Sequence, residues 1–200
     1  MEYEAKVVRA ALKATYEVNR ENIPNRFIEE AQGLSDGTGI SFNTIIEFAM
    51  IPELAIGGCS MYGAWGKATS QSLQGNLIQL RALDWAMGPY VKYPAVMVYH
   101  PNEGDGHSFS YMSFPGFLGA IDGYSSAGVG LSDKYWYHYN GSYSRIGNPW
   151  NFVLRDILQY DTNKEDAIAR IYNTNRTCAF FLGIGDSKSM TFDIVEYSHE

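Results

Sequence analysis

Three residue types in one short stretch can do chemistry together: a cysteine behind two glycines (Gly57-Gly58-Cys59), then Arg81 and Asp84 in the next strand-like run. Gly58 puts no side chain in front of Cys59, so the peptide bond between them lies open to the thiol and the backbone can bend sharply there. A chain cut at that bond would give Cys59 a nucleophilic sulfur and a free α-amine of pKa about 7.7–8.0, a general base at neutral pH. Asp84 would accept a hydrogen bond from the α-ammonium, and the fixed charge of Arg81 would lower the thiol pKa. The plain alternative is that Arg81 and Asp84 are a surface pair on a strand and Cys59 a small buried apolar residue.

Other polar residues make weaker patterns. Cys178 enters a Phe-rich run and reads as core; two cysteines make no disulfide framework. His100, His107, His138 and His199 have no metal-ligand spacing, so no metal or cofactor is expected, although His100 or His107 could serve as the base of a rival mechanism. Tyr135, Trp136, Tyr137, Tyr139 and Tyr143 form an aromatic cluster, read as sheet packing or as the wall of an acyl pocket. Gly183-Ile184-Gly185-Asp186 lacks a following helix and is not a phosphate loop.

Positioning these groups requires a hairpin. Residues 60–65 and 77–85 read as its strands, with 71–76 as the turn. Strand alternation puts Arg81 and Asp84 on opposite faces, so a bulge or a strand end is needed for both to reach Cys59. Ahead of the hairpin, helical spacing predicts an amphipathic helix over 4–18, a second over about 25–34 stopped by Ser35-Asp36-Gly37, and a third capped by Ser41 and ended by Pro52. Behind it come strands over 95–100, 108–114, 119–124 and 128–133. Then come helices over 149–160, with Asn148 as N-cap and Pro149 at the first helical position, and over 164–172. Strands over 180–185 and 190–197 follow. Helices, strands, a helix pair and strands again indicate an α+β chain.

The string Cys59-Ser60, Ala64-Trp65-Gly66-Lys67-Ala68-Thr69 and Arg81-Ala82-Leu83-Asp84-Trp85 resembles the start of the mature chain in N-terminal-nucleophile (Ntn) hydrolases related to isopenicillin N acyltransferase (peptidase C45) and choloylglycine hydrolase. Residues 27–37 resemble the helical pro-segment of the acyltransferase branch. The resemblance implies a four-layer α-β-β-α sandwich, of which this chain is the N-terminal portion. It divides the chain into a helical pro-segment, 1–58, kept as a subunit after cleavage at Gly58–Cys59, and the first part of the hydrolase domain, 59–200. The implied catalytic set is Cys59, Arg81 and Asp84. The usual Arg-Asn-x-Asp is Arg81-Ala82-Leu83-Asp84 here. The asparagines expected for the oxyanion hole are replaced by Ser132-Asp133 and by Phe181, leaving Ser132, Asp133 and Asn175 as candidates.

The expected activity is hydrolysis or acyl transfer of a linear amide through a thioester on Cys59. A papain-like protease using Cys59, His100 or His107 and Asn148, and a non-catalytic acyl- or peptide-binding remnant, are the alternatives. The 200 residues, 46% hydrophobic, suit one domain, and a net charge of −7 with interspersed signs argues against nucleic acid or anionic membrane as partner. No run is long enough to span a membrane. The start is not a signal peptide, and the sequons at Asn140 and Asn175 leave a lysosomal or secretory setting open, as the sequence does homo-oligomerisation.

Overall fold

The computed structural model describes residues 2–55, 57–84 and 92–200. Its first elements are helical: α1 (Glu2–Asn19), α2 (Asn25–Thr38), α3 (Phe42–Ala49) and the single turn α4 (Ile51–Leu54). The α2 helix continues four residues past the expected stop. Gln32 bonds Asp36 one turn on, so the polar stretch serves the helix, and the real terminator is Gly39, left-handed at φ 72°. Ser41 caps α3 as expected, its hydroxyl accepting from Thr44 N–H at 3.2 Å. Pro52 opens α4 rather than simply ending α3, because its missing N–H costs nothing in a first turn.

The hairpin pairs β1 (Gly58–Ala64) with β2 (Ile78–Asp84) in unbroken antiparallel register, Gly58 opposite Asp84 and Cys59 opposite Leu83. Its connection is no simple turn, since it holds a 3-10 segment at Gly66–Thr69 and one helical turn, α5 (Ser70–Leu73). Trp85, which belongs to the resemblance above, lies outside the described residues.

A six-stranded antiparallel sheet follows in chain order: β3 (Ala95–Tyr99), β4 (Phe109–Ser113), β5 (Asp122–Ser125), β6 (Val129–Tyr135), β7 (Phe180–Asp186) and β8 (Thr191–Tyr197). The long link between β6 and β7 carries α6 (Trp150–Tyr160) and α7 (Lys164–Tyr172). Val153, Leu154, Ile157 and Leu158 of α6 pack on Leu131, Leu182 and Ile184 of the sheet to form the main core. On its other side α6 meets the N-terminal helices, where Phe152 stacks on Phe27 at 4.3 Å between ring centres. Clamped between these two groups, α6 buries ten of its eleven residues.

The hairpin covers the opposite face of the sheet. Gln79 reaches Ser132 Oγ at 2.6 Å and the Gly183 carbonyl at 3.3 Å, over Gly130 and Gly185, where a Cβ would come within 2.6 and 2.2 Å of its side-chain oxygen. Only glycine permits so close an approach there. The architecture is the expected α+β type with antiparallel sheets. On the outer face of the hairpin Tyr62, Ile78 and Leu80 are exposed. Among the described residues no helix is long and apolar enough to cross a membrane.

Candidate active site

Cys59 is the second residue of β1 and points inward, 8% exposed. Opposite it in the hairpin, Leu83 and Arg81 share its face, because register pairs Cys59 with Leu83 and Met61 with Arg81. Arg81 Nη2 donates to Cys59 Sγ at 3.3 Å. The same nitrogen lies 2.8 Å from Asp133 Oδ1, and Nη1 lies 3.9 Å from Asp122 Oδ2. The Arg81–Asp133 contact is close but not aligned as a hydrogen bond, leaving Arg81 Nε and Asp133 Oδ1 buried with none.

The charges around the sulfur compete. Burial pushes the Cys59 thiol above its ordinary range and Asp133 adds to that, while Arg81 pulls it down. Burial also carries Asp133 up to about 6 against the pull of Arg81, and Asp122 is raised for the same reason. In the uncut chain, therefore, Arg81 alone does not make a thiolate. Abstraction of the thiol proton needs another base.

Asp84 sits elsewhere. It ends β2 on the exposed face, as alternation dictates, and no bulge turns it toward the sulfur. It does stand against Gly58, just before the nucleophile candidate: a Cβ built on Gly58 would be 3.1 Å from Asp84 Cβ. The strand end thus sets Asp84 opposite Gly58, while Arg81 lies on the sulfur. Of the oxyanion candidates, Ser132 is buried under Gln79, whose Nε2 donates to its hydroxyl oxygen, and it does not line the cavity in front of Cys59. Asp133 is the ion-pair partner of Arg81. Asn175 is exposed on the approach to β7, its carbonyl bonded to Asn148 N–H, and it does not line the cavity.

A cavity of about 130 Å³ opens in front of Cys59. One wall is formed by Pro52, Glu53, Leu54, Ala55 and Gly57, ahead of Cys59; the other is apolar, with Leu83, Ile121, Tyr135, Trp150 and Phe180. Cys178 lines the far end, beside Glu53. Glu53 is 2% exposed and accepts from Trp150 N–H at 2.9 Å, Thr177 Oγ1 at 2.8 Å and Cys178 Sγ at 3.3 Å. This carboxylate supplies the missing cap of α6, which explains why Pro149 sits at the N-cap and the helix begins one residue later than expected. The indole of Trp150 bonds the Pro52 carbonyl, and Arg145 bonds that of Glu53. Burial raises Glu53, and burial with the adjacent Glu53 raises Cys178 far above the usual thiol range.

No histidine lines this cavity. His100 faces Ser108 and His107 is held at Gln159, so the cysteine–histidine couple of a papain-like site does not form, and Cys59 begins a strand rather than a helix. Among the described residues no three of His, Cys, Asp and Glu cluster as metal ligands. Sequence reasoning passed over Glu53, Arg145 and Lys134. A carboxylate six residues before the nucleophile in a short helical turn carries no pattern of its own, because its partners lie about a hundred residues on.

No known family profile matches the chain. Protein dcd1B of Dictyostelium discoideum is 46% identical over 192 residues, 96% of this chain but 38% of that protein. Acid ceramidase of Rattus norvegicus is 25% identical over 190 residues, 84% of this chain and 46% of that one. The chain thus spans less than half the length of these relatives. Among solved structures, the Caenorhabditis elegans ortholog of N-acylethanolamine-hydrolyzing acid amidase aligns at a TM-score of 0.50 and 15% identity, over 69% of this chain and 63% of that one. That likeness is one of fold, and the fold is the mixed, antiparallel type of the Ntn hydrolases.

Proposed function

We propose that this chain is the N-terminal part of a cysteine Ntn amidase that activates itself by cutting Gly58–Cys59. The observation that carries the reading is the placement of Cys59: first inward-facing residue of a strand, preceded by two glycines, its sulfur under the Arg81 guanidinium, with Gly58 paired to Asp84 across the hairpin. In the first step Cys59 Sγ bonds to the Gly58 carbonyl carbon and the C–N bond breaks, the thiol proton ending on the freed nitrogen. Water then hydrolyses the thioester. The new α-amine would be the base that the uncut site lacks, and Asp84, opposite Gly58 in the hairpin, would hold it as it takes the thiol proton.

External substrate would enter the space vacated by residues 54–58, against Leu83, Ile121, Tyr135 and Phe180. Those walls suit the acyl chain of a linear amide, and the named activities of the two amidase relatives, on N-acylethanolamine and on ceramide, belong to that class. Residues 1–58 would stay attached, because α1–α4 share a core with α6 and Glu53 is locked to its first turn. Hydrolysis and transfer to an acceptor amine share the same thioester.

Intact-mass analysis of the full-length protein tests this reading. Two fragments meeting at Gly58 and Cys59, with amidase activity appearing in step with them, are expected. Full activity from an uncut chain overturns it.

A further inference from the structure

Ser132, Asp133 and Asn175, the oxyanion candidates named from the sequence, offer no side-chain donor to the Gly58 carbonyl: Ser132 and Asn175 do not line the cavity and Asp133 is the ion-pair partner of Arg81. Two groups on and just after β6 stand against the Gly58–Cys59 bond from the neighbouring pocket lined by Lys134, Tyr137 and Phe181, beyond the cavity wall. Lys134 Nζ donates to the carbonyl oxygen of Cys59 at 3.3 Å, on the amine side of the scissile bond. On the acyl side, a Cβ built on Gly58 would lie 3.3 Å from the Tyr137 hydroxyl, which puts that hydroxyl within about 5 Å of Gly58 Cα.

Tyr137 is held at two points. Its ring meets Tyr135 edge-on at 5.1 Å and the Lys134 ammonium lies 5.9 Å from its centre. Its hydroxyl makes no hydrogen bond among the described residues. Resting on the reading above, we infer that Tyr137 is the side-chain donor to the oxygen of Gly58 as it becomes negative, and that Lys134 is a positioning residue that fixes the Cys59 carbonyl and the Tyr137 ring. The phenol proton is shared with the oxyanion in the tetrahedral state and returns to Tyr137 as the carbonyl re-forms, so the net step remains amide to thioester plus amine. When a substrate acyl carbon later occupies the place of the Gly58 carbonyl, the same hydroxyl serves it.

Loss of one preorganised oxyanion donor typically costs about 10²–10³ in rate. The test follows cleavage by intact mass in the full-length protein for wild type, Tyr137→Phe and Tyr139→Phe. Tyr139 belongs to the same cluster but spends its hydroxyl on the Ser142 carbonyl. Tyr137→Phe is expected to slow cleavage about a hundredfold or more with an unchanged melting midpoint. Once processed, it should show a comparably reduced kcat with KM within threefold, and Tyr139→Phe should behave as wild type. Lys134→Met should slow cleavage and Lys134→Arg restore most of it. If wild type cleaves and Tyr137→Phe keeps pace within twofold, this inference fails while the self-cleavage reading stands. If wild type never cleaves, both fall.

Discussion

The two cysteines of this chain line one cavity and are set up in opposite ways. Cys59 has a guanidinium on its sulfur; Cys178 has a carboxylate. Burial raises both thiols; at Cys59 the Asp133 carboxylate adds to the rise while Arg81 opposes it, whereas at Cys178 the adjacent Glu53 only drives the thiol further from ionisation. Cys178 donates to its carboxylate and holds a left-handed backbone at φ 60°, a conformation that a non-glycine residue keeps only where surrounding contacts impose it. One end of the cavity sets a guanidinium against a thiol; the other ties the N-terminal segment to the start of α6.

The comparison breaks most sharply under substitution of the sulfurs. Cys59→Ala is expected to abolish both cleavage and amide hydrolysis, leaving a single uncut species by mass. Cys178→Ser keeps a donor for Glu53 and should retain cleavage within about twofold of wild type. Equal loss from the two substitutions would mean that the charge contrast has no bearing on function.

Much of this site was legible in the sequence, and the limits are physical. Cys59, Arg81 and the scissile glycine could be placed because a hairpin is local: register and alternation fix which residues share a face once two strands are granted. The same alternation marked Asp84 as needing a strand end, and the strand does end there. The oxyanion candidates could not be ranked, since Ser132 and Asp133 adjoin in sequence but are claimed by different partners, Gln79 and Arg81. The α6 helix was expected one residue early because its cap comes from Glu53, ninety-seven residues away. Tyr137 was visible only as one aromatic among five, because ring packing and a free hydroxyl look alike until the backbone of Gly58 is beside them.

Glu53 is the next lever. Glu53→Ala leaves Trp150 N–H buried without an acceptor and the Thr177 hydroxyl with only its longer bond to the Asn148 carbonyl, at a cost of roughly 3 kcal/mol given about 1–3 per orphaned group. A thermal melt should register that loss. Glu53→Gln keeps one acceptor and should fall between. Because the folded chain binds the Glu53 proton more tightly than the unfolded chain does, wild-type stability gains from this group as pH falls through its raised folded value toward 4.5. That gain should be absent in Glu53→Gln, and a matching pH dependence in the two would show that the carboxylate is not buried as described.

The smallest effect separates the two ends most finely. A thiol well below its pKa loses tenfold in thiolate, and so in alkylation rate, for each unit of pH. At Cys59 the neighbouring Asp133 is ionised above about 6 and holds the thiol up; below that it is neutral and the hold is released. As pH falls from 8 to 5, the iodoacetamide rate of Cys59 in uncut chains should therefore drop by less than tenfold per unit across pH 6 and return to the full slope beneath it. In Asp133→Asn the slope should stay tenfold throughout, with a rate several-fold above wild type at pH 8, since the anion opposing Arg81 is gone. Cys178, whose opposing carboxylate is Glu53, should ignore this substitution at every pH. Peptide mass spectrometry reads both sulfurs in the same sample, and an unbent wild-type profile at Cys59 would remove Asp133 from the account of how that thiol is controlled.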